Sequence, residues 1–139
     1  MSRYRVEDHT ADLAITAFGA TLEETFANAA YAMFDQMADL GAIAQFPEQR
    51  ELELRAQSAE LLLREWLGEL LFVAETEGLI FGRFSVSILS HWTLRGTAWG
   101  ADISGVPPRG STQVKAVTYH GLKIKKTDAG YEASVVFDT

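Results

Sequence analysis

The chain has 139 residues, of which 47% are hydrophobic, 22% are charged and none is cysteine. This length and balance are typical of one globular domain, so we expect a single domain over residues 1–139. The lack of cysteine excludes disulfides, thiolate metal sites and cysteine nucleophiles. The net charge of −7 disfavours tight direct binding to nucleic acids, whose phosphates attract basic surfaces.

The N-terminal residues lack the apolar run of a signal peptide. The longest apolar stretches, Leu61–Leu63 and Leu70–Ala74, are separated by charged residues and are far shorter than a membrane span. We therefore expect a cytoplasmic protein that makes no membrane contact.

The N-terminal third predicts two strands followed by a helix. Tyr4–Asp8 and Leu13–Phe18 are rich in strand-forming residues. Thr21 is followed three residues later by Glu24, which is a capping box, so a helix should begin at Leu22.

A third strand and a second helix are predicted next. Arg50–Ala56 alternates between apolar and charged residues, as expected for a half-buried strand. Ser58 is a suitable N-cap for a helix, and Gly78 is a suitable residue to end it.

The C-terminal half is dominated by predicted strands, over Leu79–Leu89, Trp92–Trp99, Val114–Lys125 and Tyr131–Asp138. Gly100–Ser111, which contains two prolines, is the longest irregular stretch and the best candidate for a functional loop. The element order ββαβαββββ predicts the α+β class. We expect a mostly antiparallel sheet of about seven strands with both helices packed on one face.

Carboxylates are concentrated at two places in the sequence. Asp12 ends the polar segment 8–12, where Asp and Thr are also common simply because they favour turns. Asp138 and Thr139 end the chain, where polar residues are also common because termini fray. Apolar residues up to Phe137 favour a docked terminus instead. Docked carboxylates repel one another unless a cation or a proton neutralises them, and oxygen ligands suit Ca²⁺, Mg²⁺ or Mn²⁺.

The segment Lys115–His120 carries a third group of candidates. Strand alternation would put Lys115 on one face with Val117 and Tyr119, which is unusual unless the amine reaches an anion. The alternative is a lysine that extends to solvent at a sheet edge. His120 is more typical of a hydrogen-bonded surface residue than of a catalytic base.

Four segments, taken together and in order, resemble the archease family: His9–Asp12, Leu62–Leu71, Lys115–His120 and Val135–Thr139. The resemblance implies a cytosolic accessory protein that is not itself an enzyme. Its partner would be an RtcB-type RNA ligase of tRNA splicing and RNA repair. The accessory protein would promote GTP-dependent guanylylation of the ligase, with GTP bound by the ligase, and would support multiple turnover.

The resemblance also implies a set of site residues. A divalent cation, Ca²⁺ by preference and otherwise Mg²⁺ or Mn²⁺, would be held by Asp12, Asp138 and the terminal carboxylate of Thr139. Lys115 matches a functional lysine of the family, and we expect it to contact the partner together with His9 and His120.

The chain departs from the family pattern at four positions: Ser58, Ala101, Gly110 and Gln113. An aspartate is usual at the first, and the other three lie where acidic or imidazole groups are common. The loop region 100–113 is therefore poorer in such groups, whereas the three proposed metal ligands are retained.

Two other functions fit the sequence less well. A metal-dependent hydrolase would need a general base, for which His9 and His120 are the candidates. A chaperone that only holds its clients would need no metal.

Overall fold

The computed structural model describes residues 2–7, 12–110 and 112–139. These residues form the α+β fold that the sequence predicted, with eight strands and two α-helices in antiparallel sheets. In chain order the elements are β1 (Tyr4–Glu7), β2 (Leu13–Gly19), α1 (Leu22–Asp35), β3 (Glu48–Arg55), α2 (Ala59–Glu77), β4 (Leu79–Leu89), β5 (Thr93–Asp102), β6 (Ala116–Val117), β7 (Lys123–Thr127) and β8 (Gly130–Asp138).

The strands form two sheets, and not the single sheet of about seven strands that the sequence predicted. The first sheet has the order β1-β2-β8-β6, with β7 also paired to β8, and the second has the order β3-β5-β4. Alternation along a strand reveals its buried face but not its neighbours, so the sequence did not reveal the division. Helix α1 packs against β2 and β8 of the first sheet and against β4 of the second. Helix α2 also contacts both sheets, so the helices do not cover one face of one sheet.

Helix α1 begins where the capping box predicted. The Thr21 hydroxyl accepts a hydrogen bond from the Glu24 backbone N–H at 3.1 Å, and the Glu24 carboxylate accepts one from the Ala20 N–H at 3.3 Å. The buried face of α1 includes Phe26 and Met33. These contacts fix the helix start and its orientation towards the core.

Helix α2 runs from its Ser58 cap to Gly78, as predicted. The Ser58 hydroxyl accepts from the Leu61 N–H at 3.2 Å, and Gly78 adopts the left-handed φ of 67° that favours glycine. Trp66 is fully buried, and its indole Nε1 donates to the Phe26 carbonyl at 3.1 Å, which ties α2 to α1. No helix in the described ranges is both long and apolar enough to span a lipid bilayer.

The predicted strand Val114–Lys125 is interrupted. Only Ala116–Val117 and Lys123–Thr127 are strands, and a turn lies between them. Gly121 has a φ of 66°, and the Leu122 N–H donates to the Tyr119 carbonyl at 3.3 Å. Tyr119 therefore does not share the buried face of Val117, contrary to the prediction, and its side chain is 61% exposed.

Strand β5 starts and ends later than the sequence predicted. Trp92 lies in a short 3-10 turn with a φ of 47°, and the strand continues through Gly100 to Asp102. The loop that follows is attached to helix α1 through Arg109, whose backbone N–H donates to the Met37 carbonyl at 2.9 Å.

Candidate metal centre

The pairing of β2 with β8 sets Asp12 and Asp138 at the same end of the first sheet. Leu13 pairs with Phe137 at the end of the β2–β8 ladder, and Asp12 and Asp138 are the chain neighbours of this pair, with Asp12 in a bend just before β2. Since Phe137 faces the core, alternation directs Asp138 to the other face.

Strand β6 brings Lys115 to the other side of Asp138. Ala116 pairs with Asp138, and the Lys115 backbone N–H donates to the Asp138 carbonyl at 2.8 Å. The side chains of Lys115, Asp138 and Thr139 are all exposed. The sheet thus gathers Asp12, Lys115, Asp138 and Thr139 from three distant segments of the chain.

Among the described residues, the charged side chains at this end of the sheet form no ion pairs. Within the described residues, neither Asp12 nor Asp138 forms a salt bridge, and neither does Lys115. Carboxylates that lie near one another repel, and a bound cation would relieve that repulsion.

The donor chemistry of these residues fits a hard cation. Two aspartates and the α-carboxylate of Thr139 offer only oxygen ligands, which suit Ca²⁺, Mg²⁺ and Mn²⁺. No three His, Asp or Glu side chains of the described chain lie together in a group that could hold a metal. The candidate set contains two such side chains, so its third ligand would have to be the α-carboxylate. Metal binding stays a prediction.

Of the two candidate histidines, the structure describes His120, which it does not bring into this set. His9 lies outside the residues that the structure describes. His120 is exposed in the turn after β6, where its N–H donates to the Thr118 hydroxyl at 3.2 Å. The Thr118 N–H in turn donates to the Val136 carbonyl at 3.1 Å. Thr118, and His120 after it, therefore lie beyond the position on β8 where Ala116 pairs with Asp138.

A second polar cluster, which the sequence did not predict, joins the N-terminal strand, α1 and the loop after β5. The Tyr4 hydroxyl donates to Asp35 Oδ2 at 2.7 Å, and Arg109 Nη2 lies 3.2 Å from carboxylate oxygens of both Asp35 and Asp39. Burial, followed by the hydrogen bond to Asp35, raises the pKa of Tyr4 to about 12. No local sequence signal relates these residues, because they lie on separate elements.

The fold and the carboxylate-rich sheet end define a small α+β protein of a known structural class. The structure has a TM-score of 0.83 to the solution structure of protein 1598 from Methanobacterium thermoautotrophicum, with 36% identity and 100% of both chains covered. It has a TM-score of 0.66 to a Thermotoga maritima crystal structure titled as an archease and possible chaperone. That second likeness covers 97% of this chain and 96% of the other at 23% identity, and it speaks for the fold alone.

The sequence comparisons identify the family. The Archease protein family (MTH1598/TM1083) matches residues 4–139. The chain is 39% identical over 139 residues to Protein archease of Sulfolobus acidocaldarius, with 99% of each chain covered. It is 38% identical over 141 residues to Protein archease of Methanothermobacter thermautotrophicus, again over 99% of each. This chain belongs to the archease family.

Proposed function

We propose that this chain is an accessory protein of an RtcB-type RNA ligase in the cytoplasm and that it is not an enzyme in its own right. It promotes GTP-dependent guanylylation of the ligase and supports repeated turnover, whereas the ligase binds GTP and joins the RNA ends. Membership of the archease family supports the accessory role. The observation that supports the proposal is the pairing of Leu13 with Phe137, the chain neighbours of Asp12 and Asp138, together with the backbone bond from Lys115 to Asp138.

In this proposal Asp12, Asp138 and the α-carboxylate of Thr139 bind a divalent cation, Ca²⁺ by preference and otherwise Mg²⁺ or Mn²⁺. The cation would supply positive charge to phosphate oxygens at the nucleotide site of the ligase. The backbone bond between Lys115 and Asp138 holds the two residues side by side. Lys115 therefore offers its ammonium group to an anionic group of the partner next to the carboxylates.

An activator of this kind works by differential binding. The accessory protein must bind the guanylylation-competent state of the ligase more tightly than the resting state. Equal affinity for both states would leave the equilibrium between them unchanged. A tenfold preference corresponds to about 1.4 kcal/mol.

The test adds substoichiometric amounts of this chain to an RtcB-type ligase with GTP, a divalent metal and RNA ends. We expect repeated ligation with the wild-type chain and its loss with Asp12→Ala, Asp138→Ala and Lys115→Ala. Glu51→Ala is the matched control, because this exposed carboxylate lies in the other sheet and has no salt bridge in the described chain. Full activity in all three site variants would refute the proposed site.

A variant extended beyond Thr139 tests the third ligand, because a peptide bond replaces the α-carboxylate and removes its charge. We expect calorimetry to record weaker Ca²⁺ binding and the ligation assay to record weaker activation. Unchanged binding in the extended variant would remove Thr139 from the ligand set.

The same preparations separate the two alternative functions. A metal-dependent hydrolase would turn over nucleotides or phosphoesters without the ligase and would lose this activity in Asp12→Ala. A chaperone that only holds clients would act without metal and would be indifferent to Asp138→Ala.

A further inference from the structure

An apolar cavity of about 310 Å³ lies at the C-terminal ends of both helices. Phe34 of α1 and Leu71 of α2 line its interior and are buried. Ile103, in the loop after β5, lines it as well, although its side chain is 53% exposed. A cavity of this size is at the lower end of the range of ligand pockets, about 300–1,000 Å³, and accepts a single large side chain.

The loop wall of the cavity is already attached to α1. Pro108 lines the cavity and forms an isolated β-bridge with Ala38. Its neighbour Arg109 lies 3.2 Å from carboxylate oxygens of both Asp35 and Asp39. These contacts hold the part of the wall at Pro108 and Arg109 in place, so an occupant does not have to order that part on binding.

One acidic group stands at the apolar cavity. Glu75 is the only ionisable residue among the described lining residues, it is exposed, and it has no salt bridge within the described chain. Phe72 lies three residues earlier on the same helix and is 61% exposed. Exposed apolar side chains around a single carboxylate are complementary to an apolar group that has a cation beside it.

The cavity adjoins the candidate metal centre. Val114 is fully buried and lines the cavity. The next residue, Lys115, donates its backbone N–H to the Asp138 carbonyl at 2.8 Å. A partner seated in the cavity therefore lies close to Lys115, which directly precedes β6, and one protein surface can contact both.

We propose that this cavity is the docking site for an apolar side chain of the RNA ligase, flanked on the ligase by a basic residue that pairs with Glu75. This inference rests on the proposed function and names the chemistry of the partner surface. The cavity gives affinity through apolar burial, and Glu75 selects the cationic neighbour. The cavity then determines the affinity for the ligase. The carboxylate end of the sheet determines the rate of the activated ligase in the complex.

The test compares Glu75→Lys and Ala74→Phe with Glu69→Lys in binding to the ligase by calorimetry. Ala74 lines the cavity from α2, so a phenyl ring at this position fills it. Glu69 is an exposed glutamate on the same helix outside the cavity lining, so its substitution makes the same charge change elsewhere. We expect about tenfold or more weakening for the first two and about twofold or less for the control.

Activation curves provide a second readout. Glu75→Lys should raise the concentration needed for half-maximal activation and leave the maximal rate unchanged, whereas Asp138→Ala should lower the maximal rate. If the wild-type chain activates the ligase and both cavity variants bind it normally, the docking site is refuted and the accessory role stands. If the wild-type chain does not activate the ligase, both proposals fail. Glu75→Lys changes an exposed side chain and decides the matter alone should Ala74→Phe fail to fold.

Discussion

The two sheets differ in how far apart in sequence their strands lie. In the three-stranded sheet β4 and β5 are joined by the short turn Ser90–Trp92, and β3 pairs along β5. In the five-stranded sheet the last strand, β8, lies between β2 on one edge and the short β6 and β7 on the other. The three-stranded sheet is built mainly from strands that are neighbours in sequence. The five-stranded sheet is built from opposite ends of the chain.

This difference explains where the candidate site lies. A sheet built from neighbouring strands presents groups that already lie near one another in sequence. The five-stranded sheet gathers Asp12, Lys115 and Asp138 from three separate segments. A site that needs like charges close together depends on such an arrangement, because packing of the rest of the fold must hold the charges against their repulsion.

The largest expected effects come from truncating one large buried side chain to alanine in each of the two sheets. Phe137, which is 1% exposed, pairs with Leu13 in the five-stranded sheet, and Leu94 of the other sheet is fully buried. Phe137→Ala should cost about 3–5 kcal/mol of unfolding free energy and Leu94→Ala about 2–5 kcal/mol, measured by urea unfolding. At a temperature where both variants are folded, only Phe137→Ala should also reduce ligase activation. Equal loss of activation would contradict the assignment of the site to one sheet.

A smaller effect is expected from two glycines that receive the same substitution. A Cβ on Gly96 of β5 would lie 2.6 Å from the Trp66 ring, so Gly96→Ala should destabilise the fold by about 1–3 kcal/mol. A Cβ on Gly68 of α2 meets nothing within 4 Å, so Gly68→Ala should stabilise by about 0.5–1 kcal/mol. Urea unfolding of the two variants should give changes of opposite sign. The same sign in both would mean that the Trp66 ring does not exclude a side chain at position 96.

The attachment of β1 to α1 should depend on pH through Tyr4. Tyr4→Phe removes the hydrogen bond to Asp35 and should cost about 1 kcal/mol at neutral pH. The folded pKa of Tyr4 is raised from 10.0 to about 12, so its neutral form stabilises the fold below pH 10. That stability is lost as the pH rises from 10 towards 12. Unfolding of the wild type and of Tyr4→Phe should therefore converge over this interval, and a constant difference would contradict the assignment.

The smallest effect is expected on the exposed face of the three-stranded sheet. Arg95 Nε lies 2.8 Å from Glu53 Oε1, and both side chains are largely exposed. A double-mutant cycle of Arg95→Ala and Glu53→Ala should give a coupling of about 0.2–1 kcal/mol that falls with added salt. A larger coupling that is insensitive to salt would show that this face is not an ordinary solvated surface.

Local features of the fold were predictable because their signals lie within a few residues. Thr21 and Ser58 cap their helices, and Gly78 ends α2, as the sequence indicated. Each assignment depends on one side chain, or one positive φ, next to the helix end.

Features that depend on distant contacts were not predictable. The register of β4 shifts between Phe81 and Arg83, and the Phe46 ring occupies the space that a side chain at Gly82 would need. The sequence around Gly82 carries no sign of this ring. The division into two sheets was missed for the same reason. The alternation of apolar and polar residues along one strand does not indicate which strands pair with it.

The candidate site was partly predictable. Apolar residues up to Phe137 indicated a docked end, which the pairing of Phe137 with Leu13 bears out. The metal site at Asp12 and Asp138 stays a prediction. The cavity beside Glu75 was not predicted, because its lining comes from both helices, β4 and the loop after β5.

The central position of β8 has a consequence for synthesis on the ribosome. The three-stranded sheet and both helices emerge before β8, so they can pack while β2 still lacks its second neighbour. During this interval the free edge of β2 is exposed to pairing with other chains, as unpaired edges generally are. The free edge of β2 is covered only when β8 pairs with it.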